Sequence, residues 1–126
     1  MKLHLAKVAG QNQFTGYGDG YVAVNNQRYE RSLVLTPEDI HDTWAVASVD
    51  AIGADELAFL LSLKPEILLL GTGAQQRFPG IATLREFARA QIGVETMDTA
   101  AACRTFNILM AEGRNVVAAV IVIGSN

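Results

Sequence analysis

Two short segments carry the residue types that could bind a small polar group. Gly71-Thr72-Gly73 ends an apolar run, and backbone N–H groups in such a turn can hold an anion beside a threonine hydroxyl. The second segment begins at Asp98-Thr99 and continues into a helical pattern, where a guanidinium and an amide three positions apart share one face. The predicted ligand-binding residues are therefore Gly71, Thr72, Gly73, Asp98, Thr99, Arg104 and Asn107.

Each segment also has a structural explanation, and the residues favour it. A dinucleotide fingerprint would need glycine at position 76, where the chain has Gln76, and no Gly-Lys-Ser/Thr of a phosphate loop occurs. Gly71–Gly73 is then a tight turn that ends a strand. Asp98 is well placed to cap a helix, with Arg104 paired to a carboxylate.

No catalytic residue or metal ligand set can be assigned. Cys103 lacks a histidine nearby in sequence, so a buried, inert thiol is favoured over a nucleophile. His41 lies between Asp39 and Asp42, but no second cluster completes a metal site, and a solvated acidic turn is favoured. We predict no cofactor and no metal.

The second half of the chain has the pattern that would position these residues. Ile67–Leu70 is apolar without alternation, which is typical of a strand covered on both faces. The periodicity predicts strands at Ile67–Leu70, Val94–Met97 and Val116–Ile123, and helices at Ala54–Leu63, Ile81–Gln91 and from Asp98 or Thr99 to about Glu112. The residues expected in the core are Leu57, Leu60, Leu61, Leu68, Leu69, Leu84, Phe87, Ala88, Val94, Val120 and Val122.

The first third is β-like. Asn25-Asn26, flanked by Tyr21–Val24 and Gln27–Tyr29, predicts a tight hairpin, since asparagine tolerates positive φ. Tyr17–Gly20 indicates another turn, and Ser32–Leu35 and Trp44–Val49 indicate further strands. Thr36-Pro37-Glu38-Asp39 has the residues of a helix start.

This order of elements predicts where a functional surface would lie. Parallel strands place their carboxyl ends at one edge of a sheet. If the strands that end at Leu70 and Met97 are parallel neighbours, the two polar segments meet across one crevice. Arg104 lies one to two turns into the following helix, so its side chain could reach back toward that crevice.

Composition limits the possible functions. The 126 residues suit one α/β domain, residues 1–126, and half of them are hydrophobic. A net charge of −3 without a basic run argues against nucleic-acid binding. One cysteine fits a reducing compartment, and no apolar run approaches the ~20 residues of a membrane helix. We therefore expect a cytoplasmic protein without membrane insertion.

Several stretches resemble a known family. They are Leu69-Leu70-Gly71-Thr72-Gly73, then Met97-x-Thr99-x-Ala101-Ala102-x-Arg104-Thr105-x-Asn107-x-Leu109, and Glu112-Gly113-Arg114-x-Val116, with Gly18-x-Gly20 and Leu35-x-Pro37. The chain resembles the small domain-of-unknown-function family that includes mitochondrial complex I assembly factor 3, the adipogenesis-associated domain protein and short bacterial members.

The resemblance implies a layered α/β fold around a mixed sheet, with an added N-terminal β-hairpin layer and helices packed on the sheet. It also implies that the last strand runs antiparallel to its sheet neighbours, and it supplies no catalytic residues. The favoured function is a non-enzymatic binding or assembly module with a protein partner. The alternative is a small-molecule protein or enzyme, taking an anion or a nucleotide, with its site at Gly71–Gly73, Asp98, Thr99 and Arg104.

Overall fold

The computed structural model describes residues 10–123, which form strands in two sheets, three α-helices and a short 3₁₀ turn at Val49–Ala51. The strands are β1 (Phe14–Gly18), β2 (Tyr21–Val24), β3 (Gln27–Tyr29), β4 (Leu33–Leu35), β5 (Ile40–His41), β6 (Ile67–Gly71), β7 (Gly93–Met97) and β8 (Val116–Val120). The helices are α1 (Ala54–Ser62), α2 (Ile81–Arg89) and α3 (Thr99–Ala111). The predicted β-α-β-α-β order of the second half is confirmed.

The two sheets have different connectivity. Strands β1, β2 and β3 form an antiparallel meander. The five-stranded sheet has the order β5-β4-β8-β6-β7, in which β6 is parallel to β7 and β8, while β4 is antiparallel to β8 and β5. The predicted mixed sheet with an N-terminal hairpin layer is therefore confirmed.

The predicted direction of the last strand is correct for only one neighbour. Strand β8 is antiparallel to β4 but parallel to β6. The reason is the crossover: α3 carries the chain from the carboxyl end of β7 back along the sheet, so β8 starts at the same edge as β6.

The β2–β3 hairpin turns at Asn25-Asn26, as predicted. Both asparagines have positive φ, at 51° and 68°. This left-handed pair matches the twist of the flanking strands, which is why asparagine suits the position.

Alternating residues of the five-stranded sheet form two cores. Leu69, Ala118 and Val120 face α3 and the three-stranded sheet. Leu68, Leu70 and Ala119 face α1, α2 and the segment around Trp44. Of the predicted core residues, Leu60, Leu68, Leu69, Phe87, Val120 and Val122 are buried, while Leu57, Leu61, Leu84 and Val94 are half-buried. Ala88 is exposed, because it lies on the outer face of α2.

Thr36-Pro37-Glu38-Asp39 does not begin a helix. The Thr36 hydroxyl accepts N–H groups from Glu38 at 3.3 Å and Asp39 at 2.8 Å. The Thr36 N–H also donates to the Asp39 carbonyl, closing a turn that joins β4 to β5. Threonine satisfies the N–H groups of a turn by the same chemistry that caps a helix, so local sequence does not separate the two.

Two predicted strands also differ from the structure. Trp44–Val49 forms no strand; its side chains at 44, 46 and 49 instead fill the core beneath α1. Strand β8 ends at Val120, three residues earlier than predicted. The chain beyond it is held by other groups, as the Ile121 N–H donates to the Gly71 carbonyl and the Val122 N–H to Ser32 Oγ.

The longest helix within residues 10–123, α3, has 13 residues. None of the helices that the structure describes has the length and apolar character needed to span a bilayer.

Candidate functional site

The two polar segments lie side by side at one edge of the sheet, as predicted from the parallel strands. Gly71 is opposite Met97 in the β6–β7 register. Beyond the strands, the Thr72 N–H donates to the Met97 carbonyl at 2.9 Å, and the Thr99 N–H donates to the Gly73 carbonyl at 2.8 Å. These bonds join the β6–α2 loop to the start of α3.

Thr72 is buried, and its hydroxyl is used inside its own loop. Oγ1 donates to the Gln75 carbonyl at 2.6 Å and accepts the Arg77 N–H at 2.9 Å. A further contact to the Met97 carbonyl measures 3.2 Å. The hydroxyl therefore holds the loop closed, as expected of a strand-ending turn.

Thr99 has a similar linking role. Its hydroxyl donates to the Ile121 carbonyl at 2.7 Å and accepts the Gly73 N–H at 2.9 Å. One side chain thus joins the loop after β6 to the segment after β8. The Gly73 N–H, which an anion would have needed, is already bonded.

Asp98 caps α3, which confirms the structural explanation for this residue. One carboxylate oxygen accepts the Ala101 N–H at 2.8 Å. Arg104 was predicted to pair with a carboxylate, but the residue that it contacts is a tyrosine. The Arg104 Nη1 donates to the Tyr17 hydroxyl at 2.7 Å, and the guanidinium lies 5.6 Å from the centre of that ring.

Asn107 does not reach the crevice. Its side chain is buried beneath the three-stranded sheet, where Oδ1 accepts the Phe14 N–H at 2.9 Å and Nδ2 donates to the Phe14 carbonyl at 2.8 Å. The side-chain amide of Asn107 thus forms the two hydrogen bonds that a neighbouring strand would form with Phe14, and it links β1 to α3. Its place among the predicted ligand-binding residues is corrected accordingly.

A crevice of about 660 Å³ opens beside these segments. It is lined by residues 17–21 at the tip of the β1–β2 hairpin, by Gly73 and Ala74, by residues 98–100 and by residues 121–123. The hairpin tip and Ile123 were not predicted to belong to the site. Tyr17 lies 87 positions from its partner Arg104, and nothing in the local pattern connects them.

The exposed apolar side chains at this edge are a second feature that local sequence did not identify. Phe78 and Ile81 follow β6 and are 67% and 74% exposed, and Ile123 follows β8 and is 60% exposed. Because β6 and β8 are parallel, all three residues follow strand ends at the same edge of the sheet.

Gly71 allows α3 to begin directly against the sheet. A Cβ at this position would lie 3.1 Å from the Thr99 Cα, the Ala102 Cβ and the Val120 Cγ1. The helix start could not stay in place beside a larger residue, so the position of Asp98 and Thr99 depends on this glycine.

Gly71→Ala is expected to destabilise the protein by about 1–3 kcal/mol, because overpacking forces α3 away from β6. The matched control is Gly93→Ala, another strand glycine, where a Cβ would meet only the Glu66 carbonyl oxygen at an ordinary 3.6 Å. Urea unfolding of both variants measures the difference. Equal stabilities would contradict the close packing assigned to Gly71.

Cys103 is buried against the sheet, and burial raises the pKa of its thiol well above the ordinary value. A neutral, inaccessible thiol is a poor nucleophile.

Within residues 10–123, no group of three or more His, Cys, Asp or Glu side chains is arranged to hold a metal ion. His41 is half-buried, with its ring against Phe59, which corrects the expectation of a solvated acidic turn.

We expect a thiol reagent at neutral pH to label native Cys103 only as fast as the protein unfolds. As the sole cysteine of the chain, it makes the labelling count unambiguous. The urea-denatured protein serves as the control and should react at once. Rapid labelling under native conditions would show that the thiol is accessible and contradict its inert role.

These observations define a class: a small layered α/β domain with a crevice at the carboxyl edge of a mixed sheet. The chain belongs to the family described as protein of unknown function (DUF498/DUF598), whose model matches residues 14–121. The resemblance noted from the sequence is confirmed.

Named relatives differ in what their names state. The chain is 40% identical over 104 residues to NADH dehydrogenase [ubiquinone] 1 alpha subcomplex assembly factor 3 of Danio rerio. The matched segment covers 81% of this chain and 59% of that protein. It therefore spans little more than half the length of that relative. It is also 30% identical to the 13 kDa major membrane protein of Francisella tularensis, over 92% of this chain and 95% of that protein.

Solved structures share the fold. A crystal structure of a Bordetella parapertussis protein has 42% identity and a TM-score of 0.84, covering 92% of this chain and 99% of that one. A solution structure of a Bordetella pertussis protein, described as an Mth938-like domain, has 36% identity and a TM-score of 0.81, covering 100% and 95%.

Proposed function

We propose that this protein is a non-enzymatic binding module for a protein partner, which docks at the crevice beside the hairpin tip. The observation that supports this most is how the polar groups at the crevice are used. The hydroxyls of Thr72 and Thr99 are bonded within the fold, while apolar side chains at the same edge are exposed.

An enzyme or anion site would call for convergent donors or a reactive group facing the crevice. Here Asp98 caps a helix, Arg104 contacts Tyr17, and the Gly73 N–H is bonded to Thr99. These groups are fastened as structural links. A surface of exposed apolar side chains, by contrast, is typical of protein–protein contacts.

The crevice also indicates the chemistry of the partner. Ile123 contributes exposed apolar surface, whereas the neighbouring lining residues Ile121 and Val122 are buried. Asp19 and Asp98 contribute carboxylates. Among the residues that the structure describes, the lining itself contains no lysine or arginine, but the guanidiniums of Arg104 and Arg28 contact the lining residues Tyr17 and Tyr21. Because charges of both signs lie at this crevice, we infer only that the partner presents an apolar side chain to Ile123.

The relatives named as assembly factors agree with this type of function. Assembly is a role that binding to partner proteins can perform, which is the type of activity proposed here. Because the single cysteine of the chain fits a reducing compartment, we place this activity in the cytoplasm.

The proposal is tested with two isoleucines of equal exposure. Ile123 at the crevice is 60% exposed and Ile108 on α3 is 59% exposed. Proteins and metabolites that co-purify with the wild type, Ile123→Lys and Ile108→Lys are identified together. We expect Ile123→Lys to reduce capture of the specific partner at least tenfold and Ile108→Lys to retain it, since the lysine replaces an apolar contact surface with a hydrated charge that the interface would have to desolvate.

Both variants should unfold within about 0.5 kcal/mol of the wild type, since the substitutions are at the surface. Capture that is equal in both variants would place the partner elsewhere and contradict the proposal. A stoichiometric metabolite that is lost in Ile123→Lys would instead support the alternative, a small-molecule site. The volume of the crevice, about 660 Å³, is the observation that keeps this alternative open.

A further inference from the structure

A second cavity lies on the opposite face of the five-stranded sheet, between β5 and α1. Its volume is about 230 Å³, and its lining includes His41, Trp44, Asp55, Glu56 and Phe59. Trp44 belongs to the core on the α1 side of the sheet, whereas α3 and the hairpin pack on the other side. The cavity is therefore separate from the crevice and independent of the function proposed there.

Aromatic rings form one part of this cavity. The His41 ring packs edge-to-face on Phe59, with centres 4.9 Å apart and planes at 76°. The Trp44 indole lies beside them, its N–H directed at the Glu56 carbonyl at 3.5 Å. The His41 Nε2 is buried without a hydrogen-bond partner among residues 10–123, so the ring contributes to the cavity wall by packing and not by a hydrogen bond.

Carboxylates form the other part. Asp55 and Glu56 occupy the first turn of α1, and one oxygen of Glu56 accepts the Gly53 N–H at 3.0 Å. Within residues 10–123, the cavity lining contains no lysine or arginine. The helix N-terminus contributes the equivalent of about half a positive charge, which is smaller than the two negative charges of the carboxylates. The cavity therefore favours a cation.

We propose that this cavity binds an alkylammonium group. Aromatic rings attract such a cation through their π-electrons, and acidic side chains strengthen the attraction. A metal ion is disfavoured because the described residues offer no cluster of three ligands. The volume of about 230 Å³ suits a single head group, below the ~300–1,000 Å³ typical of pockets for larger ligands.

Two sources of this chemistry are distinguished by the probes. Choline represents a free quaternary amine, and acetyl-glycyl-lysyl-glycinamide represents the lysine of a partner protein. Trp44 is the sole tryptophan, so its fluorescence and its indole N–H resonance report binding directly. We expect a saturable change with at least one cation at constant ionic strength. Neutral tert-butyl alcohol, similar in size to the choline head, and the alanyl analogue of the peptide should produce none.

The charge dependence is tested with a matched pair of variants. Asp55→Asn removes a carboxylate of the cavity, whereas Asp50→Asn removes an exposed carboxylate that does not line it. We expect Asp55→Asn to weaken cation binding roughly fivefold, equivalent to about 1 kcal/mol, the upper end for a solvent-exposed ion pair, and Asp50→Asn to leave it unchanged. The proposal is overturned if neither Trp44 signal saturates with either cation, if the neutral probe binds equally, or if both variants weaken binding alike.

Discussion

Asn107→Ala is expected to destabilise the protein by about 2–6 kcal/mol, since it leaves two buried groups of the Phe14 backbone unpaired at about 1–3 kcal/mol each. The amide of Asn107 is 3% exposed, and alanine provides neither the acceptor nor the donor that β1 needs. The loss is measured as the shift of the urea midpoint. Hydrogen exchange should show that the three-stranded sheet opens more often than the five-stranded sheet.

Asn115→Ala is the control for this result. Asn115 is an exposed asparagine whose amide donates one hydrogen bond, to the Lys64 carbonyl at 3.3 Å. Its removal should change stability by no more than about 0.5 kcal/mol. If both variants lost equal stability, Asn107 would not be the link between α3 and β1 that the structure indicates.

Leu69→Ala is expected to cost about 2–5 kcal/mol, from lost transfer energy and from the cavity that remains. Leu69 is fully buried at the centre of β6, and β7 and β8 flank it on either side. Neighbouring strands limit how far the backbone can collapse into the space, which places the expected cost toward the upper end of that range.

The comparison for Leu69 is Ile108→Ala on the exposed side of α3. An exposed isoleucine loses little on truncation, so its unfolding free energy should stay within about 0.5 kcal/mol of the wild type. Thermal and urea unfolding together provide the measurement. A small effect at Leu69 would mean that β6 is not an interior strand of the packed sheet.

The parallel neighbours β6 and β7 illustrate how far the sequence alone leads. Ile67–Leu70 and Val94–Met97 were predictable as strands because apolar runs and turn residues are local signals. Their adjacency followed from the helix between them, since a βαβ connection places both carboxyl ends at one edge. The meeting of Gly71–Gly73 with Asp98-Thr99 could thus be predicted without coordinates.

Other features of the site could not be predicted in this way. Thr36 has the same cap chemistry in a turn as at a helix start, so only its pairing with Asp39 distinguishes them. The ring that receives Arg104 belongs to Tyr17, in a separate sheet, and the partner of Asn107 is the backbone of Phe14, 93 positions away. A side chain's reach to a distant segment depends on how the layers pack.

The sequence by itself determined the class of fold, the hairpin at Asn25-Asn26, the order of elements in the second half and the edge at which the polar segments meet. Those features follow from turn residues and from the spacing of apolar side chains, which repeats about every 2 residues in a strand and every 3.6 residues in a helix. Only the tertiary structure decided that β8 is parallel to β6, that Thr72 and Thr99 serve as links, and that the hairpin tip completes the crevice. The physical reason is that these outcomes depend on which buried donors and acceptors find partners across layers, and that choice is made between segments far apart in the chain.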